Sequence, residues 1–357
     1  MQFLGLDIGG ANLKAADGGG FATSLPFPLW QKPHELAPAL GELIAAAPRC
    51  DGLAVTMTGE LADCFETKQA GVNCILDAVE EAAGPRRLRV YLTSGDFVAS
   101  AEARERWLEA AASNWHALAS LAAKYCEHGD GLLLDIGSTT TDIIPIRGGS
   151  VAAVGRTDPE RLLSGELVYT GIERSPACAV AQSIPWRGAD CPLAQELFAT
   201  MRDVYLLLGD VSEDPHDRNT ADGRPATRAA AHVRLARMIC GDSTMFAPAE
   251  ARAAAKAVAR RQIAALCTAA RRGLDQHPRS TRTAVISGGG EFLARRVLDS
   301  IGWGGPIVAL SQQLGPGASR CAPAHAVATL ANHAHDPAAP ARNNQRTRSP
   351  TRSASEE

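Results

Sequence analysis

Two turns in the sequence combine an aspartate, a glycine and several hydrogen-bond donors. In the segment LLLDIGSTTTDIIPI, residues 132–146, an apolar strand pattern runs to Asp135, and Gly137 is followed by four hydroxyl side chains and then Asp142. Hydroxyls and unshielded backbone N–H groups in such a turn are suited to hold phosphate oxygens. We therefore predict a phosphate-binding turn that ends at Asp142. Its hydroxyl donors are Ser138, Thr139, Thr140 and Thr141.

A similar turn lies near the start of the chain. Residues 4–16 read LGLDIGGANLKAA, and they share with the segment that begins at Leu132 an apolar run, Asp-Ile-Gly, a polar turn and a returning strand. Here Asp7 ends the strand pattern. The repeated pattern predicts two similar lobes that face each other. The turn positions of this copy are Gly9, Gly10, Asn12 and Lys14.

A third glycine turn follows a strand pattern late in the chain. Ser287 is followed by Gly288, Gly289 and Gly290, and a helix pattern starts near Glu291. The positive end of a helix dipole and exposed backbone N–H groups favour an anion at this position. We predict that these glycines approach the same ligand as the first two turns.

The carboxylates of Asp7 and Asp135 would repel a phosphate, so they need another role. We predict that they hold Mg²⁺, usually through water, which in turn binds phosphate oxygens. Any one of the three turns is as compatible with simple closure of a loop as with function. Their combination favours a phosphate site, although none has the spacing of a Walker A motif or of a dinucleotide-binding G-x-G-x-x-G motif.

The elements that would position these turns alternate between strands and helices, which predicts an α/β fold. A Gly148-Gly149 pair predicts a hairpin, and Pro248 suits the first turn of a helix. Helix patterns cover residues 98–126 and 248–276. Strand patterns cover residues 3–9, 52–58, 89–94, 131–137, 141–146, 150–155, 283–288 and 306–310. We place the first lobe in residues 1–130 and the second in 131–335, with the last helix returning to the first lobe.

Composition narrows the class of protein. The 357 residues carry a net charge of -3, which gives no reason to expect nucleic acid or a membrane surface as partner. The nine cysteines include no C-x-x-C pair, so a disulfide framework and a zinc ribbon are both disfavoured. We see no signal peptide or membrane span and expect a cytoplasmic protein. Residues 336–357 are rich in Pro, Arg, Ser and Asn, which predicts a disordered tail.

The order of the three turns resembles that of the actin, Hsp70 and sugar-kinase superfamily. The resemblance implies a two-lobed, ribonuclease H-like fold with a phosphate-binding cleft between the lobes. Within that superfamily, DIGSTTTDIIPI (135–146) resembles the signature of the hydantoinase A/oxoprolinase group. More narrowly, this segment together with VTMTGELADCFETKQAGV (55–72) and EDPHDRNTADGRPAT (213–227) resembles the tetrahydromethanopterin-linked C1-transfer pathway proteins. The likeness extends from Met1 to about His335.

That family includes an enzyme of methanofuran biosynthesis, and the resemblance implies its reaction. An aminomethylfuran-methyl diphosphate would condense with a tyramine-type phenol such as γ-glutamyltyramine, form an aryl ether and release diphosphate. We expect Asp7, Lys14 and Asp135, with Mg²⁺ and the turn hydroxyls, to bind the leaving diphosphate. The implied partners are therefore two small molecules, the furan diphosphate and a phenolic amine.

A base for the phenol is less clearly indicated. Glu60 and Lys68 follow a strand end, where ligands of α/β proteins tend to bind. We weigh catalytic roles for both residues against a helix cap for Glu60 and a solvated position for Lys68.

The acidic segment 213–227 offers a further metal or substrate loop through His216, Asp217 and Asp222. Its composition alone favours an ordinary polar loop with turn residues.

Two other classes of function remain open at this point. One is an ATP-dependent kinase or a hydantoinase/oxoprolinase-like amidohydrolase, although Ala11 and Asn12 stand where many ATP-using relatives have a hydroxyl residue. The other is a non-catalytic nucleotide-binding regulator. The sequence leaves open whether ATP binds and how many subunits assemble, a homodimer included.

Overall fold

Two β-sheets, each built from its own part of the chain, form the centre of the protein. The computed structural model describes residues 1–126, 129–275 and 283–334, so the predicted tail from residue 336 lies outside the described residues. In the first sheet the strands are β1 (Phe3–Ile8), β2 (Asn12–Ala16), β3 (Ala22–Pro26), β4 (Gly52–Met57), β5 (Arg87–Tyr91) and β6 (Phe97–Val98). Their order is β3-β2-β1-β4-β5-β6, and β1, β4 and β5 are parallel.

The second sheet repeats this arrangement. Its order is β10-β8-β7-β13-β14, with β9 paired to β8, and a separate hairpin is formed by β11 and β12. The bounds are β7 (Gly131–Ile136), β8 (Thr141–Arg147), β9 (Ser150–Val151), β10 (Leu167–Val168), β11 (Ser183–Trp186), β12 (Ala189–Pro192), β13 (Thr283–Ser287) and β14 (Ile307–Ala309). In both sheets the first strand of the repeat pairs antiparallel with the next strand and parallel with a later one. The predicted repeat is therefore confirmed.

Helices cover the sheets and fill the space between them. Two short 3-10 helices lie at Pro33–Glu35 and Ala123–Tyr125. The α-helices of the described residues are α1 (Leu36–Ala45), α2 (Lys68–Ala83), α3 (Ser100–Glu105), α4 (Trp107–Ala110), α5 (Asn114–Ala122), α6 (Asp158–Ser164), α7 (Ala177–Val180), α8 (Met201–Leu208), α9 (Arg228–Arg237), α10 (Pro248–Asp275), α11 (Glu291–Ile301), α12 (Leu310–Arg320) and α13 (Ala322–Ala334). None of the helices in this part of the chain is long and apolar enough to cross a membrane.

The predicted helix over residues 98–126 is wrong in its continuity, because the segment forms three short helices. Arg106 leaves helical geometry at φ -98° and ψ 36°, and Ala111 is extended. Ala112 has a φ of 48°, which is unusual for a residue with a side chain. The break sets Ser113 against β4, where its hydroxyl lies 2.8 Å from the Thr56 hydroxyl.

The predicted strand over residues 150–155 is also too long. Strand β9 ends at Val151; the Ala152 N–H still donates to the Pro145 carbonyl of β8 at 2.9 Å, but further along the segment N–H groups bond to a side chain instead of a neighbouring strand. Val154 and Gly155 donate to the Glu166 carboxylate at 2.6 and 2.8 Å. The Gly148-Gly149 hairpin is confirmed, since both glycines have the positive φ that a tight two-residue turn needs.

Alternation along β1 and β7 determines which way the two repeat aspartates point. Leu4, Leu6 and Ile8 pack on the α1 and α2 side, while Phe3 packs against α13 on the other side of the sheet. The last helix thus returns to the first sheet, where the Asn332 side chain also accepts a bond from the Phe3 N–H at 2.7 Å. In the second sheet Leu133 packs against α5. Successive side chains alternate between faces, so Asp7 and Asp135 both point into the region between the sheets.

Candidate active site between the two sheets

The two repeat aspartates share one lysine. Asp7 and Lys14 are partners in the register of β1 and β2, and Lys14 Nζ lies 3.4 Å from Asp7 Oδ2. Burial lowers the pKa of Lys14, but the charges of Asp7 and Asp135 outweigh it and leave that pKa raised. Lys14 therefore stays protonated between a carboxylate of each lobe.

Burial makes both carboxylates harder to ionise than usual. It raises the pKa of Asp7, and Lys14 offsets this only in part. Burial also raises the pKa of Asp135 to about 7, with a further rise from the charge of Asp142; the Ser287 hydroxyl and Lys14 act in the opposite direction. A site that makes negative charge costly on two acidic groups is ready to receive a cation.

The residues present fit a magnesium ion. Asp7 Oδ1 is buried and has no hydrogen-bond partner among the described residues. Mg²⁺ is commonly held by one or two carboxylates, with water and substrate phosphate as the other ligands. Within residues 1–126, 129–275 and 283–334, no cluster of three or more His, Cys, Asp or Glu side chains forms a cage for a metal. Asp7 and Asp135 could therefore hold Mg²⁺ together with a phosphate, but not in an all-protein cage.

The second turn is fixed by hydrogen bonds to a neighbouring loop. The Gly137 N–H donates to the Thr140 carbonyl at 2.9 Å, and the Gly137 carbonyl accepts from the Ile172 N–H at 3.0 Å. The Ser138 carbonyl accepts from the N–H groups of the two residues after Ile172. These bonds occupy the carbonyls on the outside of the turn. The partly exposed residues that remain for a ligand are Ser138, Thr139 and Thr140.

Thr141 and Asp142 point elsewhere, which corrects the expectation that they face a phosphate. The Thr141 hydroxyl is buried and donates to the Thr170 carbonyl at 2.7 Å. Asp142 is buried and pairs with the Arg161 guanidinium. Both side chains belong to β8, where the sequence offered hydroxyl and carboxylate groups but no sign of the partners that occupy them.

The first and third turns have matching supports. The Gly9 N–H donates to the Asn12 carbonyl at 3.0 Å, as in the second turn. The Ile8 carbonyl then accepts from the Thr58 and Gly59 N–H groups, both at 2.9 Å. In the second lobe the Ile136 carbonyl accepts from the Gly290 N–H at 2.9 Å, just before α11 begins. Each glycine turn thus has a second loop beside it, and the loop after β4 is the one that carries the predicted Glu60.

That loop after β4 carries Glu60 to the edge of the first turn. A Cβ built on Gly59 would lie 3.2 Å from the carbonyl carbon of Gly9, so the two loops are in direct contact. Glu60 is 1% exposed, and its Oε2 has no hydrogen-bond partner among the described residues. The helix cap of α2 is Thr67 rather than Glu60, since the Thr67 hydroxyl accepts from the Ala70 N–H at 3.1 Å. The reading of Glu60 as a cap is therefore wrong.

Lys68 joins Glu60 to the opposite lobe. Its Nζ lies 3.6 Å from Glu60 Oε1 and 2.9 Å from Asp158 Oδ2, so it is not a solvated surface residue. Asp158 is the first residue of α6, in the second lobe. The sequence prediction missed Asp158, because nothing in the sequence shows that the start of α6 lies opposite the start of α2.

The same ion-pair chain continues to the second turn through a buried arginine. Arg161 pairs with Asp158 at 3.5 Å and with Asp142, and its guanidinium lies 4.1 Å from the centre of the Trp115 ring. Asp142 is the register partner of Asp135 in β7 and β8. A chain of alternating charges therefore runs from Glu60 in one lobe to the neighbour of Asp135 in the other.

Burial raises the pKa of Glu60 to about 7. Lys68 acts against the rise and the charge of Asp158 adds to it, while the N–H of Ala112, the residue with positive φ, lies close enough to lower it. A carboxyl group with this pKa changes its charge near neutral pH, as a general base must.

The acidic segment 213–227 has the ordinary structural role that its composition favoured. Asp217 pairs with Arg202, and Asp222 accepts a bond from the buried Arg234 at 3.0 Å. His216 is exposed. The segment thus binds arginines of its own lobe.

Two surface hollows among the described residues lie away from Asp7, Glu60 and Asp135. One of about 410 Å³ lies on the second lobe, lined by Val154, Gly155, Glu160, Leu163, Ser164 and Arg272. Another, of about 340 Å³, is lined mainly by residues of α10. The carboxylates between the sheets remain the stronger candidate site, because they combine convergent polar groups with raised pKa values.

Comparison with known proteins identifies the family. The match to the hydantoinase/oxoprolinase family covers residues 51–333, most of the chain. The chain belongs to the hydantoinase/oxoprolinase family.

Within the hydantoinase/oxoprolinase family, two similar curated proteins carry one name. The (4-{4-[2-(γ-L-glutamylamino)ethyl]phenoxymethyl}furan-2-yl)methanamine synthase of Methanocaldococcus jannaschii is 34% identical over 335 residues, which are 92% of this chain and 97% of that protein. The synthase of the same name from Methanococcus vannielii is 38% identical over 111 residues, 31% of this chain and 50% of that protein. The resemblance to the methanofuran-biosynthesis family is therefore confirmed.

One solved structure supports the fold of this family member, and a second is similar over most of its length. A nucleotide-free acetone carboxylase structure has a TM-score of 0.50 at 11% identity and covers 92% of this chain and 70% of its own. An archaeal actin homologue, Ta0583, has a TM-score of 0.41 at 12% identity over 93% and 99% of the two chains. The repeated sheets and the acetone carboxylase match establish the two-lobed fold that the sequence predicted.

Proposed function

We propose that this protein is a transferase that makes the aryl ether of a methanofuran-type C1-carrier coenzyme. An aminomethylfuran-methyl diphosphate and the phenol of γ-glutamyltyramine would be its substrates, and diphosphate would be released. The observation that carries the proposal is the 34% identity to the M. jannaschii synthase over nearly the full length of both chains. The product in that enzyme's name contains the phenol–furan ether.

The chemistry of the leaving group explains why a phosphate cleft suits this reaction. When diphosphate departs from a furan-bound methylene, the furan stabilises the positive charge on carbon, and the oxygens of diphosphate take up negative charge. Donors that are already in place for that charge lower the barrier. In the proposal the backbone N–H groups of Gly9 and Gly10, with Asn12 and Lys14, hold the diphosphate from the first lobe.

The second lobe contributes the rest of the proposed diphosphate site. Ser138, Thr139 and Thr140 donate from the second turn, and Gly288, Gly289 and Gly290 present the start of α11. Asp7 and Asp135 would hold Mg²⁺, which when bound supplies Lewis-acid stabilisation of the leaving diphosphate. The support for this assignment is the interaction of Asp7 and Asp135 with Lys14 and the unpartnered oxygen of Asp7.

Calorimetric titration tests the proposal against an ATP-using enzyme. With Mg²⁺ present, we expect the purified protein to bind pyrophosphate tightly, and ATP or its slowly hydrolysed analogue weakly or not at all. Clear ATP binding with turnover would instead support the kinase or amidohydrolase alternative. Binding of ATP without turnover would support a nucleotide-binding regulator. A cytoplasmic location is part of the same proposal, since both substrates are small polar molecules.

A further inference from the structure

We propose that Glu60 is the general base of the reaction and takes the proton from the phenol hydroxyl of the acceptor. This inference rests on the proposed function, because it assigns the acceptor side of the same site. It starts from the Glu60 carboxylate, which is almost fully buried beside the first glycine turn. One of its oxygens is paired with Lys68, and the other has no hydrogen-bond partner among the described residues.

The two oxygens of Glu60 have different surroundings. Oε1 lies 3.6 Å from Lys68 Nζ, and Oε2 is buried without a hydrogen-bond partner among the described residues. A buried acceptor that the protein leaves unpaired carries a free-energy cost, so its retention indicates a partner that is supplied from outside. A phenol O–H is a donor of the right chemistry for Oε2.

The loop that carries Glu60 fixes its position relative to the diphosphate donors. Gly59 contacts Gly9 of the first turn, and Thr58 bonds to the Ile8 carbonyl that precedes that turn. A phenol at Glu60 therefore lies next to a diphosphate held by the first turn. The oxygen that attacks and the bond that breaks are brought together by two adjacent loops of one sheet.

The chain of ion pairs that runs from Glu60 to Asp142 keeps Glu60 in place and joins it to the second lobe. Lys68 is the link, with Glu60 on one side and Asp158 at 2.9 Å on the other. Substrates reach the enclosed carboxylate when the lobes separate, and closure then restores the Lys68–Asp158 pair. Proton transfer is in this way confined to the closed state, from which water is excluded.

The proposed step balances as follows. The phenol O–H bond breaks and its proton passes to Glu60 Oε2. The phenol oxygen donates an electron pair to the furan-bound methylene carbon and forms the ether bond. The bond from that carbon to diphosphate breaks, and its electron pair leaves with the diphosphate. Glu60 later loses the proton to water.

The pH dependence follows from the groups that face Glu60. These are Lys68 on α2, Asp158 on α6 and the Ala112 N–H between α4 and α5. With burial they place the pKa of Glu60 at about 7. Because the base must be ionised to accept a proton, kcat should rise with pH through about 7 and level off above it.

Ether formation by Glu60→Gln tests the assignment, with Glu66→Gln as the matched control. Gln keeps the shape of Glu60 but cannot act as the base, and Glu66 is an exposed carboxylate of the same connecting segment. With saturating Mg²⁺ to keep Asp135 ionised, we expect Glu60→Gln to lower kcat at least about 100-fold and to lose the rise near pH 7. Pyrophosphate affinity should stay within about threefold of wild type, which shows that the variant is folded. The control should match wild type.

Two results would overturn the assignment while leaving the proposed function intact. In the first, wild type makes the ether and Glu60→Gln keeps more than about a third of its kcat. In the second, Glu60→Gln loses pyrophosphate binding together with activity, which would make Glu60 part of the diphosphate site. If wild type itself forms no ether, the proposed function fails and the role of Glu60 fails with it.

Discussion

Asp135 is the residue on which the proposed metal and diphosphate site depends most. Asn has nearly the same shape as Asp but carries no charge, so Asp135→Asn should fold normally and lose Mg²⁺-dependent ether formation. The pKa of Asp135 is about 7, so the folded protein already holds its neutral form at mildly acidic pH. Initial rates across a range of Mg²⁺ concentrations, together with circular dichroism, would check this. The exposed Asp63→Asn is the control, and full activity in Asp135→Asn would refute the metal assignment.

The burial of Glu60 should also affect how the free energy of unfolding depends on pH. The folded state raises its pKa from 4.5 to about 7, so ionising this group costs the folded protein and not the unfolded chain. Wild type therefore loses stability as pH rises from about 4.5 to 7, and Glu60→Gln lacks this contribution while keeping that of Asp135. At pH 8 we expect the variant to be more stable by up to about 3 kcal/mol, with no difference near pH 4. Denaturant unfolding at both pH values measures this, and a less stable variant at pH 8 would contradict it.

At the residue scale, types and spacing predicted candidate groups but not the partners that determine their roles. Asp7 and Asp135 were predictable because a repeated turn marks the same position twice, and Lys14 because it belongs to the first of these turns. Thr141 and Asp142 were misplaced because a hydroxyl or carboxylate near a turn gives no sign of which way it faces. Asp158 and Arg161 were invisible, since their partners lie far away in the sequence.

At the element scale, substitutions in two of the glycine turns should affect different properties, one the binding of pyrophosphate and the other the stability of the fold. A Cβ on Gly10 would have no neighbour within 4 Å, and the φ of Gly10 is not positive. Gly10→Ala should therefore fold normally but place a methyl group where the diphosphate approaches the backbone. We expect the Kd for pyrophosphate to rise at least about tenfold. Titration calorimetry with Gly41→Ala in α1 as the control would measure it, and unchanged affinity would exclude the first turn from the site.

Gly288→Ala, unlike Gly10→Ala, should lower the stability of the fold. Its φ is 84°, and a Cβ there would lie 2.3 Å from the Ile136 carbonyl oxygen, so the backbone of the second and third turns must move. We expect a clear drop in the melting temperature, by several degrees or more for a loss of about 2 kcal/mol. A melting temperature equal to that of wild type would show that the third turn is less rigid than its contacts imply.

The sequence predicted the buried strands β1 and β7 better than the helices of residues 98–126, for a physical reason. Apolar runs that end in Asp-x-Gly gave β1 and β7 almost to the residue, because buried strands need uninterrupted apolar side chains. The pattern of residues 98–126 predicts one helix, because the segment contains no proline and no other residue that would clearly end a helix. The helix is interrupted near Ala112 and Ser113 by tertiary contacts, which no local sequence pattern indicates.

At the scale of the whole molecule, the Lys68–Asp158 ion pair joins the lobes across the cleft. Asp158→Asn should weaken that link and favour a more open molecule. Small-angle X-ray scattering without ligand should then show a larger radius of gyration than in wild type. Asp77→Asn is the control, because it removes an ion pair with Arg104 inside the first lobe. An unchanged radius in Asp158→Asn would mean that other contacts hold the lobes together.

The two-lobed fold itself could be predicted from the repeat, since two copies of one turn need two similar sheets to carry them. How the lobes meet could not, because the packing of α5 and α13 between the sheets depends on contacts far apart in the sequence. The charge chain from Glu60 to Asp142 exists only in the assembled molecule.

The central claim is that this protein forms a phenol–furan ether. The most direct measurement incubates the purified protein with Mg²⁺, the aminomethylfuran-methyl diphosphate and γ-glutamyltyramine, and follows the products by mass spectrometry without ATP. The account predicts one ether for each diphosphate released and no requirement for ATP. Absence of the ether under these conditions, with ATP hydrolysis when ATP is supplied, would contradict it.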